Sequence, residues 1–179
     1  MLNLHDCSLT VIDVQGKLAQ LMHDKEALFK NIGVLIQTAG ILDIPILWCQ
    51  QAPDALGPTL PEIAELLSGS EPINKSCFSC WRSGQFRSAL TSASRRQMIL
   101  CGIETHVCVY QTAMDLAADH YDVTVVADAV SSRKSENKRI ALERMSRAGI
   151  KISSTEMTLF ELLRDAKHPK FKQIARLIK

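Results

Sequence analysis

Short apolar runs alternate along this chain with longer stretches in which apolar residues return every three or four positions. Residues 9–14 (Leu-Thr-Val-Ile-Asp-Val) are β-branched and apolar, the pattern of a buried strand. Over residues 25–42, Leu28, Ile32, Leu35, Ile36 and Ala39 share one helical face, and Gly40 falls near the helix end. Asp43-Ile44-Pro45 reads as a turn into a second strand, Ile46 to Cys49, with Pro45 tolerated only as its leading residue. Residues 50–60 are rich in Pro and Gly and read as a loop; after a strand, such a loop is a place for substrate contacts. Pro61 to Leu67 suit one or two helical turns. Residues 72–82 read as irregular, and Gln85 to Ala93 as a helix with Phe86, Leu90 and Ala93 on one side.

The second half is more regular. Met98 to Cys101 is an apolar strand broken by Gly102, and a helical pattern over Val107 to Ala118 carries Cys108 in its first turn. Asp122 to Ala127 is a further strand, closed by residues 128–133. Glu136 to Arg147 is an amphipathic helix ended at Gly149, a residue suited to a C-cap. Ile150 to Ile152, Thr155 to Leu163 and Pro169 to Ile178 read as strand, helix and helix. Apolar strands separated by helices predict a mainly parallel sheet between two helical layers, a three-layer α/β fold of Rossmann-like type. No repeat or linker divides the 179 residues, so residues 1–179 are expected to form a single domain.

Composition narrows the function. The net charge of +2 gives no electrostatic footprint for nucleic acid or an anionic membrane. The basic stretches 133–139 and 167–172 are interrupted by acidic or apolar residues and read as solvated helix faces. The N-terminus shows no secretory signal, and no apolar run approaches the length of a membrane span. Six scattered cysteines in such a chain read as reduced thiols, which points to the cytoplasm.

In an open parallel sheet, ligands bind beyond the carboxyl ends of the strands. Asp13, Lys75 and Cys108 all fall there. A thiol at a helix N-terminus is expected to favour its thiolate. Asp13 could take and return the thiol proton, Lys75 could stabilise charge, and the backbone N–H groups of Glu104 and Cys108 could hold an oxyanion. Each residue also has a plainer reading, as a turn former, a surface cation and a small core residue. Gln15 alternates to the same face as Asp13. Trp48, Phe78 and Trp81 are candidate walls of a small-molecule pocket, with Gln50 and Ile103 beside them. Cys77-Phe-Ser-Cys80 has the spacing of half a zinc site or a redox pair, but no second pair stands at the right spacing. His106, two residues from Cys108, points to another helical face. No phosphate-binding glycine motif follows a strand.

Three segments carry a resemblance. They are Leu-Thr-Val-Ile-Asp13-Val-Gln15, Lys75-Ser-Cys-Phe, and Cys101-Gly-Ile-Glu-Thr-His-Val-Cys108-Val. Together they are similar to the signature segments of the isochorismatase-like cysteine hydrolases. Residues 50–59, Lys75-Ser-Cys-Phe-Ser and the tail Asp165-Ala-Lys-His-Pro-Lys-Phe-Lys resemble most closely the isochorismatase domain-containing proteins and their microbial relatives. The resemblance implies a sheet of about six strands and an Asp13–Lys75–Cys108 triad acting through a thioester on a small amide-like or related C–N bond. It also implies a cis peptide bond between Ile103 and Glu104, and a homo-oligomer. Nicotinamidases of this family carry metal-binding histidines after the second strand, whereas residues 48–54 here hold none. No metal and no cofactor are therefore expected, and nicotinamide is not the expected substrate. The contrasting possibility is a catalytically quiet relative that binds small molecules or partners.

Overall fold

The computed structural model describes residues 1–179. Six strands form one parallel sheet: β1 (Cys7–Ile12), β2 (Ile46–Gln51), β3 (Ile73–Lys75), β4 (Gln97–Ile103), β5 (Asp122–Ser131) and β6 (Lys151–Ser153). Their spatial order is β3-β2-β1-β4-β5-β6, so the winding reverses between β1 and β4. A crevice at that reversal, beyond the carboxyl ends of both strands, is where such a sheet receives a ligand.

Alternation along the strands feeds two cores. On one face, Leu9 and Val11 of β1 and Ile99, Cys101 and Ile103 of β4 pack against α1 (Gly16–Gln20), α2 (Lys25–Ile41), a short α3 (Pro53–Leu56) lying nearby, and α4 (Pro61–Ala64). On the other face, Ile12, Met98 and Leu100 meet α5 (Gly84–Ala93), α6 (Tyr110–Ala118) and α7 (Ser135–Arg147). Helices α8 (Thr155–Leu163) and α9 (Phe171–Ala175) return to the first face. Central strands are buried on both sides, which is why they read as continuous apolar runs. Ser83 and Ser154 cap α5 and α8 by accepting the amides of Phe86 and Met157 at 3.4 and 3.2 Å.

Several elements depart from the sequence reading. The segment 72–82 contains β3, an edge strand too short to show a period. Strand β5 runs four residues further than expected, through Asp128 to Ser131, because its register against β4 shifts between Leu100 and Gly102 and the irregularity absorbs the polar Asp128. Residues 50–60 hold the single turn of α3, and the last helix shrinks to Phe171–Ala175.

Candidate active site

Each of the three candidate side chains sits where a strand ends. Asp13 follows β1 directly, with a left-handed backbone (φ 54°) and its N–H donated to Cys49 O at 3.1 Å. A non-glycine residue in that region is strained, and such residues concentrate at functional sites. Gly102 makes the approach of β1 and β4 possible at this level. Its φ is +115°, and a Cβ there would lie 2.1 Å from the carbonyl oxygen of Ile12. No side chain fits.

Lys75 ends β3, two strands from β1. Its long stem crosses the end of β2, and Nζ donates to Asp13 Oδ2 at 2.7 Å and Gln51 Oε1 at 2.8 Å. The carbonyls of Cys77 and Phe78 also accept from it, at 3.3 and 3.2 Å. The Asp13 and Lys75 side chains are 4% and 0% exposed, so the pair is withdrawn from water. Burial disfavours the ammonium, but the negative groups around it outweigh this and hold the Lys75 pKa above its usual value. Burial raises the Asp13 carboxyl, against the pull of Lys75 and the Cys108 thiol. Asp13 Oδ1 accepts no hydrogen bond within ordinary geometry.

Cys108 follows β4 in a wide turn, Thr105–Val109, in which the Val109 amide reaches back five residues to Glu104 O at 3.3 Å. Regular helix begins only at Tyr110. The expected bias toward thiolate is reversed: burial first, and then the Asp13 charge, hold the thiol well above its ordinary range. The favourable helix end is outweighed because the sulfur is desolvated beside a carboxylate. The Ile103–Glu104 peptide bond is cis, and the Glu104 amide donates to no group within the protein.

Asp13 and Cys108 line one cavity of about 110 Å³. Leu18, Leu56, Phe78, Ile103 and Val107 supply apolar walls, and Gln51 and Glu104 the remaining polar lining. Phe78 and Ile103 thus stand in the expected pocket, while Gln15, Trp48, Gln50 and Trp81 do not line it. Their groups serve the scaffold instead. Gln15 Nε2 donates to Gly57 O at 2.7 Å and Gln51 O at 3.2 Å, and its Oε1 accepts the Gln51 amide at 2.6 Å. Trp48 Nε1 donates to Thr59 Oγ1 at 3.0 Å, and Gln50 Oε1 accepts the Thr59 amide at 3.1 Å. All three hold loop 52–60 in shape. Trp81 packs edge-on against Tyr121 with ring centroids 5.3 Å apart.

Leu18, Gln51, Leu56 and Val107 also line the cavity, and nothing in the sequence marks them. Gln51 also donates from Nε2 to Ser76 O at 2.7 Å, which ties β2 to the segment that grips Lys75. Glu104 is 7% exposed and is held by Arg133, whose backbone N–H donates at 3.0 Å and whose Nε donates to both oxygens at 3.2 Å. Cys80 is buried with its amide on Thr112 Oγ1 at 2.9 Å, and no group of three or more His, Cys, Asp or Glu is placed to hold a metal ion. His106 turns to Ser132, with Nδ1 3.0 Å from its Oγ.

The sequence profile of the Isochorismatase domain matches residues 7–157, which span all three candidate residues. The chain belongs to the isochorismatase family. It is 37% identical over 170 residues to isochorismatase domain-containing protein 2 of Danio rerio, covering 95% of this chain and 85% of that one. It is 38% identical over 179 residues to the secreted isochorismatase effector Isc1 of Phytophthora sojae, covering 98% and 85%. Among solved structures, the MAR1 ribonuclease of Caenorhabditis elegans superposes with a TM-score of 0.92 at 36% identity, over 99% of this chain and 91% of that one. YcaC of Escherichia coli, described as an octameric hydrolase of unknown specificity, gives 0.93 at 25%, over 99% and 88%. The isochorismatase-like α/β architecture and membership of this family of hydrolases are thus settled. No helix is long and apolar enough to cross a membrane.

Proposed function

We propose that residues 1–179 act as one hydrolase domain that cleaves a small amide-like or related C–N bond through a thioester at Cys108. The observation that carries this reading is the shared cavity. It holds a buried thiol and a carboxylate whose second oxygen is fixed 2.7 Å from an ammonium. Asp13 takes the thiol proton as sulfur attacks the carbonyl carbon. The new alkoxide accepts hydrogen bonds from the backbone N–H groups of Glu104 and Cys108. As the C–N bond breaks, the protonated Asp13 gives its proton to the departing nitrogen. Asp13 then deprotonates water, which attacks the thioester. The C–S bond breaks, the acid leaves, and the proton returns to sulfur.

Lys75 keeps its charge throughout and steadies the carboxylate. An elevated Asp13 pKa suits this work, since a stronger base removes a thiol proton more readily. Six free cysteines suit a reducing, cytoplasmic setting for this chain, whereas the oomycete relative is named as secreted. The octameric relative supports assembly into a homo-oligomer. A ribonuclease role, taken from the name of the nematode relative, has no support in a chain of net charge +2 whose cavity lining includes no Lys, Arg or His.

A screen of small amides, ureides and carbamoyl compounds against wild type and Cys108→Ala in parallel tests the reading. Turnover by wild type alone supports it. Equal turnover by both proteins removes it.

A further inference from the structure

Two ion pairs stand at the cavity. Of Asp13–Lys75 and Glu104–Arg133, the acidic residue of each pair belongs to the cavity lining and the basic residue does not. Lys75 is enclosed and already donates to four oxygens. Arg133 is committed to Glu104, and its side chain is otherwise 57% exposed to solvent. The lining thus counts two acidic residues and no Lys, Arg or His to receive a carboxylate of the substrate.

The remaining wall points the same way. Five apolar side chains can satisfy only an apolar substituent. Gln51 gives Oε1 to Lys75 and one Nε2 hydrogen to Ser76 O, which leaves at most a single side-chain N–H for an occupant. A buried anion needs several donors, and this wall does not supply them.

Resting on the hydrolase reading above, we propose that Glu104, held in place by Arg133, is a specificity residue that restricts the substrate to small acyl groups carrying no negative charge. The substrate class is a short, uncharged aliphatic or carbamoyl compound that fits about 110 Å³. The only strong polar recognition it receives is at the scissile carbonyl. The charge filter lies in the side chain of a residue whose backbone amide serves the oxyanion, so selection and chemistry share one turn of chain.

The test uses two thiol reagents of nearly equal size, neutral iodoacetamide and anionic iodoacetate, on the full chain. Labelling of Cys108 is followed by peptide mass spectrometry, and the iodoacetamide-to-iodoacetate rate ratio is divided by the ratio for free cysteine in the same buffer. The normalised ratio is expected to exceed unity by about tenfold or more in wild type. In Glu104→Gln, which removes the charge and releases Arg133, it should fall toward unity. A wild-type ratio near unity or below overturns the charge filter while leaving Cys108 as an accessible nucleophile. A high ratio unchanged in Glu104→Gln overturns the assignment to Glu104. Absence of labelling by either reagent removes the nucleophile reading and this inference with it. The wild-type ratio stands without the variant, so poor folding of Glu104→Gln leaves the charge filter testable.

Discussion

Lys75 Nζ meets Asp13 Oδ2 at 2.7 Å across the end of an intervening strand, with both side chains sealed from solvent. A carboxylate placed so deep owes its ionised form to that ammonium. Truncating Lys75 to Ala should therefore remove more than charge stabilisation in catalysis. It leaves an uncompensated buried carboxylate, a change that costs about 3–5 kcal/mol. Urea denaturation at neutral pH should show that loss in Lys75→Ala. A smaller loss is expected in the double variant Lys75→Met/Asp13→Asn, where no charge is stranded.

Asp13 also sets a pH dependence. Burial holds its carboxyl above the ordinary 3.8 in the folded chain, with Lys75 and the Cys108 thiol opposing. The folded protein therefore binds this proton at higher pH than the unfolded chain does. The stability contributed by this one group is present below the unfolded value and is lost as pH rises through the folded one. Activity runs the other way, because the base must be ionised. The kcat/KM profile should climb with an apparent pKa above 3.8, and Asp13→Asn should lower its plateau by about 10³-fold or more.

Gly102 is the hinge of the geometry. Gly102→Ala sets a Cβ 2.1 Å from Ile12 O, on a backbone at φ +115° that a side chain resists. The ends of β1 and β4 would have to part, carrying Asp13 away from Cys108. A stability loss of about 4 kcal/mol or more is expected by thermal or urea unfolding, at the extreme of single substitutions.

Gln15 tests the scaffold reading of the loop. It is wholly buried and makes three hydrogen bonds, to Gly57 and to both backbone groups of Gln51. Gln15→Ala strands those partners and should cost about 1–3 kcal/mol. It should also speed amide hydrogen exchange over residues 52–58. A direct substrate contact would instead raise KM with exchange unchanged.

The fold was largely legible because its central strands are buried on both faces, so β1, β2 and β4 stand out as apolar runs between amphipathic helices. β3 is not legible because three edge residues show no period, and the polar Asp128 makes the middle of β5 resemble a turn. At the site, Asp13, Lys75 and Cys108 could be singled out by type and by their place after strands, and the family resemblance joined them. The pocket wall could not be read in the same way. Gln15 does share the face of Asp13, but hydrogen bonding to the loop backbone consumes its amide, and periodicity does not report that. Leu18, Leu56 and Val107 come from a short helix, a loop turn and a wide turn, whose relative placement depends on contacts distant in sequence. At Cys108 the helix N-terminus is visible in sequence, whereas the desolvation that raises the thiol pKa is not.

The central claim is a covalent intermediate on Cys108. Its most direct measurement is intact-protein mass spectrometry after rapid acid quench, with the best amide from the small-molecule screen and with Cys108→Ala alongside. Wild type should gain the mass of one acyl group, the adduct should map to the peptide bearing Cys108 and yield to hydroxylamine, and Cys108→Ala should neither gain mass nor turn over. Turnover by Cys108→Ala at the wild-type rate, or an acyl group mapping to any other residue, would contradict the account.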